Sequence, residues 1–209
     1  MPVALALAGG LAVLLLALIV TLSGSPLVVA RTNGVPADQP ILEARGAAAC
    51  QAGEFVPRGT SGIRLTFVAD AGPRVSVSLL AGGRRLASGT TASGWTAGAV
   101  TVAVPRLAQA LPEATLCFKF AHSAETVQMG GATTSPAAAA HSSSKPLPGR
   151  FTVEYMRPGP TSWWSLATTV AHHFGLGRAP AGTWVAWLVL LLMLSAVALA
   201  CHLVLRELQ

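Results

Sequence analysis

Charge is what this sequence lacks most. Of its 209 residues 11% are Asp, Glu, Lys or Arg, against about 25% in a typical water-exposed domain, so much of the chain does not face water. Acidic residues are scarcer than basic ones, eight against fourteen, for a formal charge of +6. The basic residues stand singly, with Arg84-Arg85 the only adjacent pair. A clustered Lys/Arg stripe with interleaved aromatics, the footprint of nucleic-acid binding, is absent. Cysteine occurs three times and never as Cys-x-x-Cys, and His122 and His141 lack ligand spacing, which leaves no metal motif. Gly-x-Ser-x-Gly, P-loop and dinucleotide fingerprints are missing, and Asp38 and Asp70 are the only aspartates. Glu43, Glu54, Glu113, Glu125 and Glu154 read as solvated loop or edge residues; a glycosidase-like pair among them is the remaining enzymatic reading, which their separation would test. The expectation is a non-enzymatic protein with no cofactor and no metal.

What the chain has in abundance is apolar residues, 52% of the total, and they crowd its two ends. From Pro2 to Ala30 there is no charge. This stretch fits either a signal peptide, ending in the small-residue pattern Val28-Val29-Ala30, or a retained anchor long enough for a bilayer core of roughly 30 Å. The second run, residues 183–205, has Trp184 and Trp187 at its start and Arg206 beyond its end. That arrangement suits a transmembrane helix with indoles at the headgroup layer and residues 206–209 in the cytoplasm. The lipid bilayer is thus an expected partner, and the bulk of the chain is expected outside the cytoplasm.

Between the ends the apolar period is two. Residues 61–68 place Ile63, Leu65 and Phe67 on one face with Arg64 and Thr66 on the other. The same alternation recurs at 74–79, 99–104, 115–120 and 151–156, with the Gly-rich turn 81–83 joining 74–79 to a short partner strand at 84–88. Strands this closely spaced, with no amphipathic helix between them, give an all-β antiparallel sandwich, jelly-roll-like, over residues 47–158. Residues 31–46 read as an extended lead-in that adds an edge strand, and 130–148 as a mobile low-complexity excursion. Cys50 and Cys117 are expected to pair, because an exported domain meets an oxidising compartment; Cys201 is a small apolar filler of the second run.

Residues 161–175 fit a juxtamembrane amphipathic helix. Ser162 can cap it, and Trp163, Leu166, Val170 and Phe174 share a face directed at membrane or partner, with packing on the sandwich as the alternative. Candidate glycan contacts are Trp95, in a glycine-flanked loop, and Arg64, Arg84 and Arg85 on polar strand faces. The competing readings are a core plug for Trp95 and a solvated face for the arginines.

Cys50-Gln51 with Glu54, the run Gly72-Pro73-Arg74-Val75-Ser76-Val77, Gly94-Trp95, Cys117, Ser162-Trp163-Trp164 and Gly175-Leu176-Gly177-Arg178 together carry a resemblance. The chain resembles a group of actinobacterial membrane-anchored envelope proteins with a jelly-roll, carbohydrate-binding-like ectodomain. The resemblance implies partnership with polysaccharide or glycosyl-transfer machinery. The expected function is an accessory or binding subunit beside a larger integral membrane protein, with a stand-alone carbohydrate-binding surface protein or a glycan hydrolase as alternatives. The chain departs from a typical sugar-binding module in offering only Trp95 and Tyr155 as polar-tipped aromatics within the sandwich.

Overall fold

The alternation read in the sequence becomes two antiparallel sheets. In the computed structural model the described residues are 2–134, 138–143 and 145–174, with 188, 191–193, 195 and 206; side chains are described from Gly9 onward, and not for 168 and 170–174. The run expected at 183–205, with Trp184 and Trp187, falls outside them apart from those isolated positions, as do the side chains of Val170 and Phe174.

Residues 27–158 form one compact unit. Its strands are β1 (Leu27–Thr32), β2 (Gln39–Ala44), β3 (Ala47–Val56), β4 (Gly62–Val68), β5 (Val75–Ala81), β6 (Arg84–Thr91), β7 (Gly98–Ala103), β8 (Leu111–Phe120), β9 (Val127–Thr133), β10 (His141–Ser142), β11 (Lys145–Pro146), β12 (Gly149–Phe151) and β13 (Val153–Pro158). One sheet is built on the path β2-β9-β4-β7, with β12 also paired to β9 and β13 joining β4 to β1; the other runs β11-β10-β3-β8-β5-β6. All recorded pairings are antiparallel.

The inward side chains of the two sheets interlock. Phe67 of β4 meets Phe118 and Phe120 of β8 edge-on, with centroids 6.4 and 6.3 Å apart, and Phe151 of β12 meets Phe118 at 4.9 Å. Around them Ile63, Leu65, Val77, Leu79, Leu116 and Met129 are buried. Each large side chain so removed from water contributes about 2 kcal/mol, and the edge-to-face rings add directional preference.

Two expectations are corrected here. Residues 130–133, assigned to a mobile excursion, belong to β9, and 141–142 and 145–146 pair into the other sheet. The low-complexity composition reflects close packing: a Cβ on Gly131 would sit 2.0 Å from the Arg150 carbonyl oxygen, so a β-branched residue has no room. The lead-in supplies β2, which pairs with β9. The apolar leader does not run unbroken to Ala30, because Leu27–Thr32 is already strand β1, paired with β13 from Leu27↔Pro158 to Thr32↔Glu154. Pro26 separates the two states, since it disfavours a helical residue before it.

The second unit comprises residues 1–26 and 159–209. Helix α1 (Pro2–Ser23) and helix α2 (Trp163–Phe174) are its described elements. They are tied by the Trp163 amide donating to the Gly24 carbonyl at 3.1 Å, beside a Gly159-to-Pro26 bond of 2.7 Å. Among the described residues no helix is long and apolar enough to cross a membrane.

Cys50 and Cys117 form a disulfide between directly opposed positions of β3 and β8, the central pair of the six-stranded sheet. It bridges a sequence separation of 67 residues, which in the chain-entropy account stabilises by about 4 kcal/mol. The double variant Cys50→Ser/Cys117→Ser is expected to lower unfolding free energy by about that amount in urea titration; an unchanged midpoint would show that the bridge does not constrain the unfolded chain.

Candidate functional site

Three buried polar residues interrupt an otherwise apolar core: Gln51, Glu54 and Thr60. The first two come from β3 and carry the chemistry. Inward positions of β3 run Ala49, Gln51, and then, past the register shift between Gln51 and Glu54, Glu54 and Val56. The bulge shifts the alternation by one residue and so delivers a carboxylate into the space between the sheets.

Every donor around Glu54 has a definite origin. Tyr155 Oη donates to Oε2 at 2.6 Å from β13. Gln51 Nε2 donates to Oε1 at 2.7 Å, and Arg150 of β12 closes an ion pair on the same oxygen. Asn33, just past β1, reaches Oε1 at 3.4 Å and the Phe151 carbonyl at 2.8 Å. The amide groups of Gln51 and Asn33 are themselves anchored: Phe151 N–H donates to Gln51 Oε1 at 2.6 Å and Val153 N–H to Asn33 Oδ1 at 3.2 Å. The cluster therefore stitches β3 of one sheet to β12 and β13 of the other.

Tyr155, the only tyrosine in the chain, has its phenol pushed far above the usual range, first by burial and then by the Glu54 charge and hydrogen bond. It stays protonated and serves as a donor. With both carboxylate oxygens bonded, this arrangement pins two sheets together; it is not poised to move a proton. Among the described residues no three His, Cys, Asp or Glu side chains gather as metal ligands would. Glu54, expected as a solvated residue, is instead the most enclosed carboxylate of the sandwich, with its side chain fully buried.

The residues proposed for glycan contact are not brought together. Arg64 lies on the outer face of the seven-stranded sheet, paired with Glu154 at 3.2 Å and bonded to Thr101. Arg84 and Arg85 open β6 in the other sheet. Trp95 is partly buried against the core; its ring lies 5.1 Å from Phe67 and its N–H donates to the Pro73 carbonyl at 2.7 Å. The indole rests on Gly72, where a Cβ would fall 2.1 Å from the ring. The geometry makes Trp95 a plug rather than a free stacking platform.

A different surface collects the hydroxyl groups. On the outer face of the six-stranded sheet Ser76, Ser78, Ser88 and Thr90 line a shallow depression of about 420 Å³ with Arg85 and Lys119 at its margins and the Cys50–Cys117 bridge in its floor. Ser76 and Thr90 lie opposite each other with their hydroxyls 3.2 Å apart. Such a surface offers donors and acceptors in rows, with two cations and no acid. In α2, Trp163 and Trp164 are both exposed and Leu166 is half-buried.

No protein-family model and no curated protein matches this chain. Its functional reading rests on geometry.

The Glu54 cluster generates two expectations. Glu54→Gln leaves the half-buried Arg150 without its counter-ion and should cost about 3 kcal/mol, whereas Tyr155→Phe removes one bond to a charged group and should cost about 2 kcal/mol; equal and negligible effects in denaturant titration would contradict the arrangement. The pH dependence follows from the raised phenol: the unfolded chain loses this proton near pH 10 and the folded chain keeps it, so stability falls above about pH 10 by roughly 1.4 kcal/mol per unit. Tyrosinate absorbance near 295 nm should therefore rise only together with unfolding; ionisation within a folded chain would contradict it.

Proposed function

We propose that this chain is a membrane-tethered, extracytoplasmic accessory subunit of a bacterial cell envelope. In this reading it has no catalysis of its own and works beside a larger integral membrane protein of glycan or polysaccharide metabolism. The observation that carries the reading is the surface of α1. Leu11, Val13, Leu14, Leu15, Leu16, Leu18, Ile19 and Val20 are each at least half exposed, and consecutive helical positions point in all directions. A helix apolar on every side belongs in lipid or inside a partner. Its 22 residues carry no charge, and the run at 183–205 is a second uncharged apolar segment.

Other features agree. Cleavage after Ala30 would remove most of β1 and its pairing with β13, which favours retention of the N-terminal helix as an anchor. A disulfide in the sandwich suits an oxidising compartment. The strand orders β2-β9-β4-β7 and β3-β8-β5-β6 support a jelly-roll type of sandwich. Exposed Trp163 and Trp164 on α2 suit an interface with headgroups or a partner helix. The second reading, a stand-alone carbohydrate-binding protein, is favoured by the hydroxyl-lined depression.

Purification of the C-terminally tagged chain from its native membranes in mild detergent, followed by mass spectrometry, separates the two. The accessory reading expects a stoichiometric integral membrane protein that is lost from the Trp163→Ala/Trp164→Ala variant. A chain that comes alone, and binds soluble glycan until Ser78→Leu blocks the depression, would overturn it in favour of the second.

A further inference from the structure

The sandwich is electrically uneven from end to end. Its two chain ends, Leu27 and Pro158, are paired neighbours and therefore leave together. β4 begins at this same end, because Gly62 pairs with Met156, and the short link 57–61 brings β3 there too. The turn after β7 packs on that link through Gly59 N–H to the Leu107 carbonyl, at 2.9 Å, and Leu107 N–H to the Thr60 carbonyl, also at 2.9 Å. The β5–β6 hairpin tip points the same way by register, since Leu80 opposes Thr115 in mid-β8 and the chain runs on from there towards the start of β8, where Val56 opposes Leu111.

Four exposed arginines lie on these elements besides Arg85, which borders the hydroxyl-lined depression: Arg58, Arg84, Arg106 and Arg157. Arg58 and Arg106 flank a cleft of about 280 Å³. None of the four has an ion-pair partner among the described residues, whereas Arg64 and Arg150 do. On the same elements Glu54 and Glu154 are paired with Arg150 and Arg64, which leaves Glu113 as the acid with no ion pair among the described residues. At the opposite end charges are mixed, with Arg45, Asp70 and Glu125 around one depression.

We propose that this arginine-bearing end docks onto the anionic phospholipid headgroups of the membrane that holds α1. The proposal rests on the tethered reading above and adds the surface and the lipid class. The argument is charge complementarity combined with reach. Helix α1 ends at Ser23 and the sandwich begins at Leu27, so the connection spans at most about 14 Å, and guanidinium groups without counter-ions favour phosphate oxygens in fork geometry. A single arginine would be a solvated surface charge; four without counter-ions, gathered where the chain enters the sandwich, form a footprint.

The test uses the full chain reconstituted into vesicles of phosphatidylcholine alone or of phosphatidylcholine with phosphatidylglycerol, read by flotation and by hydrogen exchange of residues 57–61 and 104–110. The expected result is flotation with both vesicle types and exchange slowed on the order of 10-fold only with phosphatidylglycerol, reversed by high salt and abolished in Arg58→Gln/Arg106→Gln. Flotation with both and identical exchange would overturn the headgroup contact while leaving the tether standing. Flotation with neither would overturn both. Protection by soluble dextran sulfate in neutral vesicles, with none from phosphatidylglycerol, would also overturn it and reassign the surface to an anionic glycan.

Discussion

A carboxylate withdrawn from water has to be met by donors on every side, and Glu54 sets that requirement for this fold. Removing such an ion from solvent costs several kcal/mol even after relaxation, and only close, well-aligned partners offset it. Here those partners come from both sheets: Gln51 from its own strand β3, Arg150 and Tyr155 from β12 and β13, and Asn33 from the turn that follows β1. The consequence is register. Apolar side chains at a sheet interface tolerate small slips, whereas a phenol 2.6 Å from a carboxylate oxygen does not. Fixing β13 against β3 in turn fixes β4 and β1, which pair with β13 on either side. The disulfide acts at right angles to this, binding β3 to β8 within one sheet. Together the two constraints define which faces of the sandwich are inside and which carry surface chemistry.

Much of the architecture is legible in the sequence, and the exceptions have physical causes. Strands β4, β5, β7 and β8 show themselves because one face is packed and the other wet, so the apolar period survives. β9 is hidden because its backbone at Gly131 lies too close to Arg150 of β12 for a side chain, and the Gly130-Gly131 pair in mid-strand reads as loop. β1 is hidden by continuity: Leu27, Val28 and Val29 extend the apolar run of α1, and only Pro26 marks the change. The Cys50–Cys117 pair was open to inspection because few other partners exist. Glu54 was not, because the bulge before it shifts the phase and makes an inward residue look like a turn residue. Its signal was Gln51, a polar residue at an apolar position three residues earlier. Arg64 looked available for a ligand because its counter-ion, Glu154, is 90 residues away in sequence.

In the proposed setting, the division of labour follows from this plan. The rigid, bridged sheet presents hydroxyls and cations outward, the neutralised sheet presents the Arg64–Glu154 pair, and both chain ends leave at one edge next to the unpaired arginines. A module entered and left at one edge is easily inserted between two apolar segments, because the segments impose no strain on its core. Specificity then resides in surface groups that the fold leaves free, not in the buried cluster that makes the fold unique.

The claim that the Glu54 cluster makes the two sheets one cooperative structure is tested most directly by native-state hydrogen exchange at the amides of Phe151 and Val153, whose protons are held by Gln51 and Asn33. The account predicts that both exchange only through global unfolding, with the same opening free energy as Val77 and Leu116 in the six-stranded sheet. Opening of Phe151 and Val153 at markedly lower free energy, while Val77 and Leu116 stay protected, would contradict it.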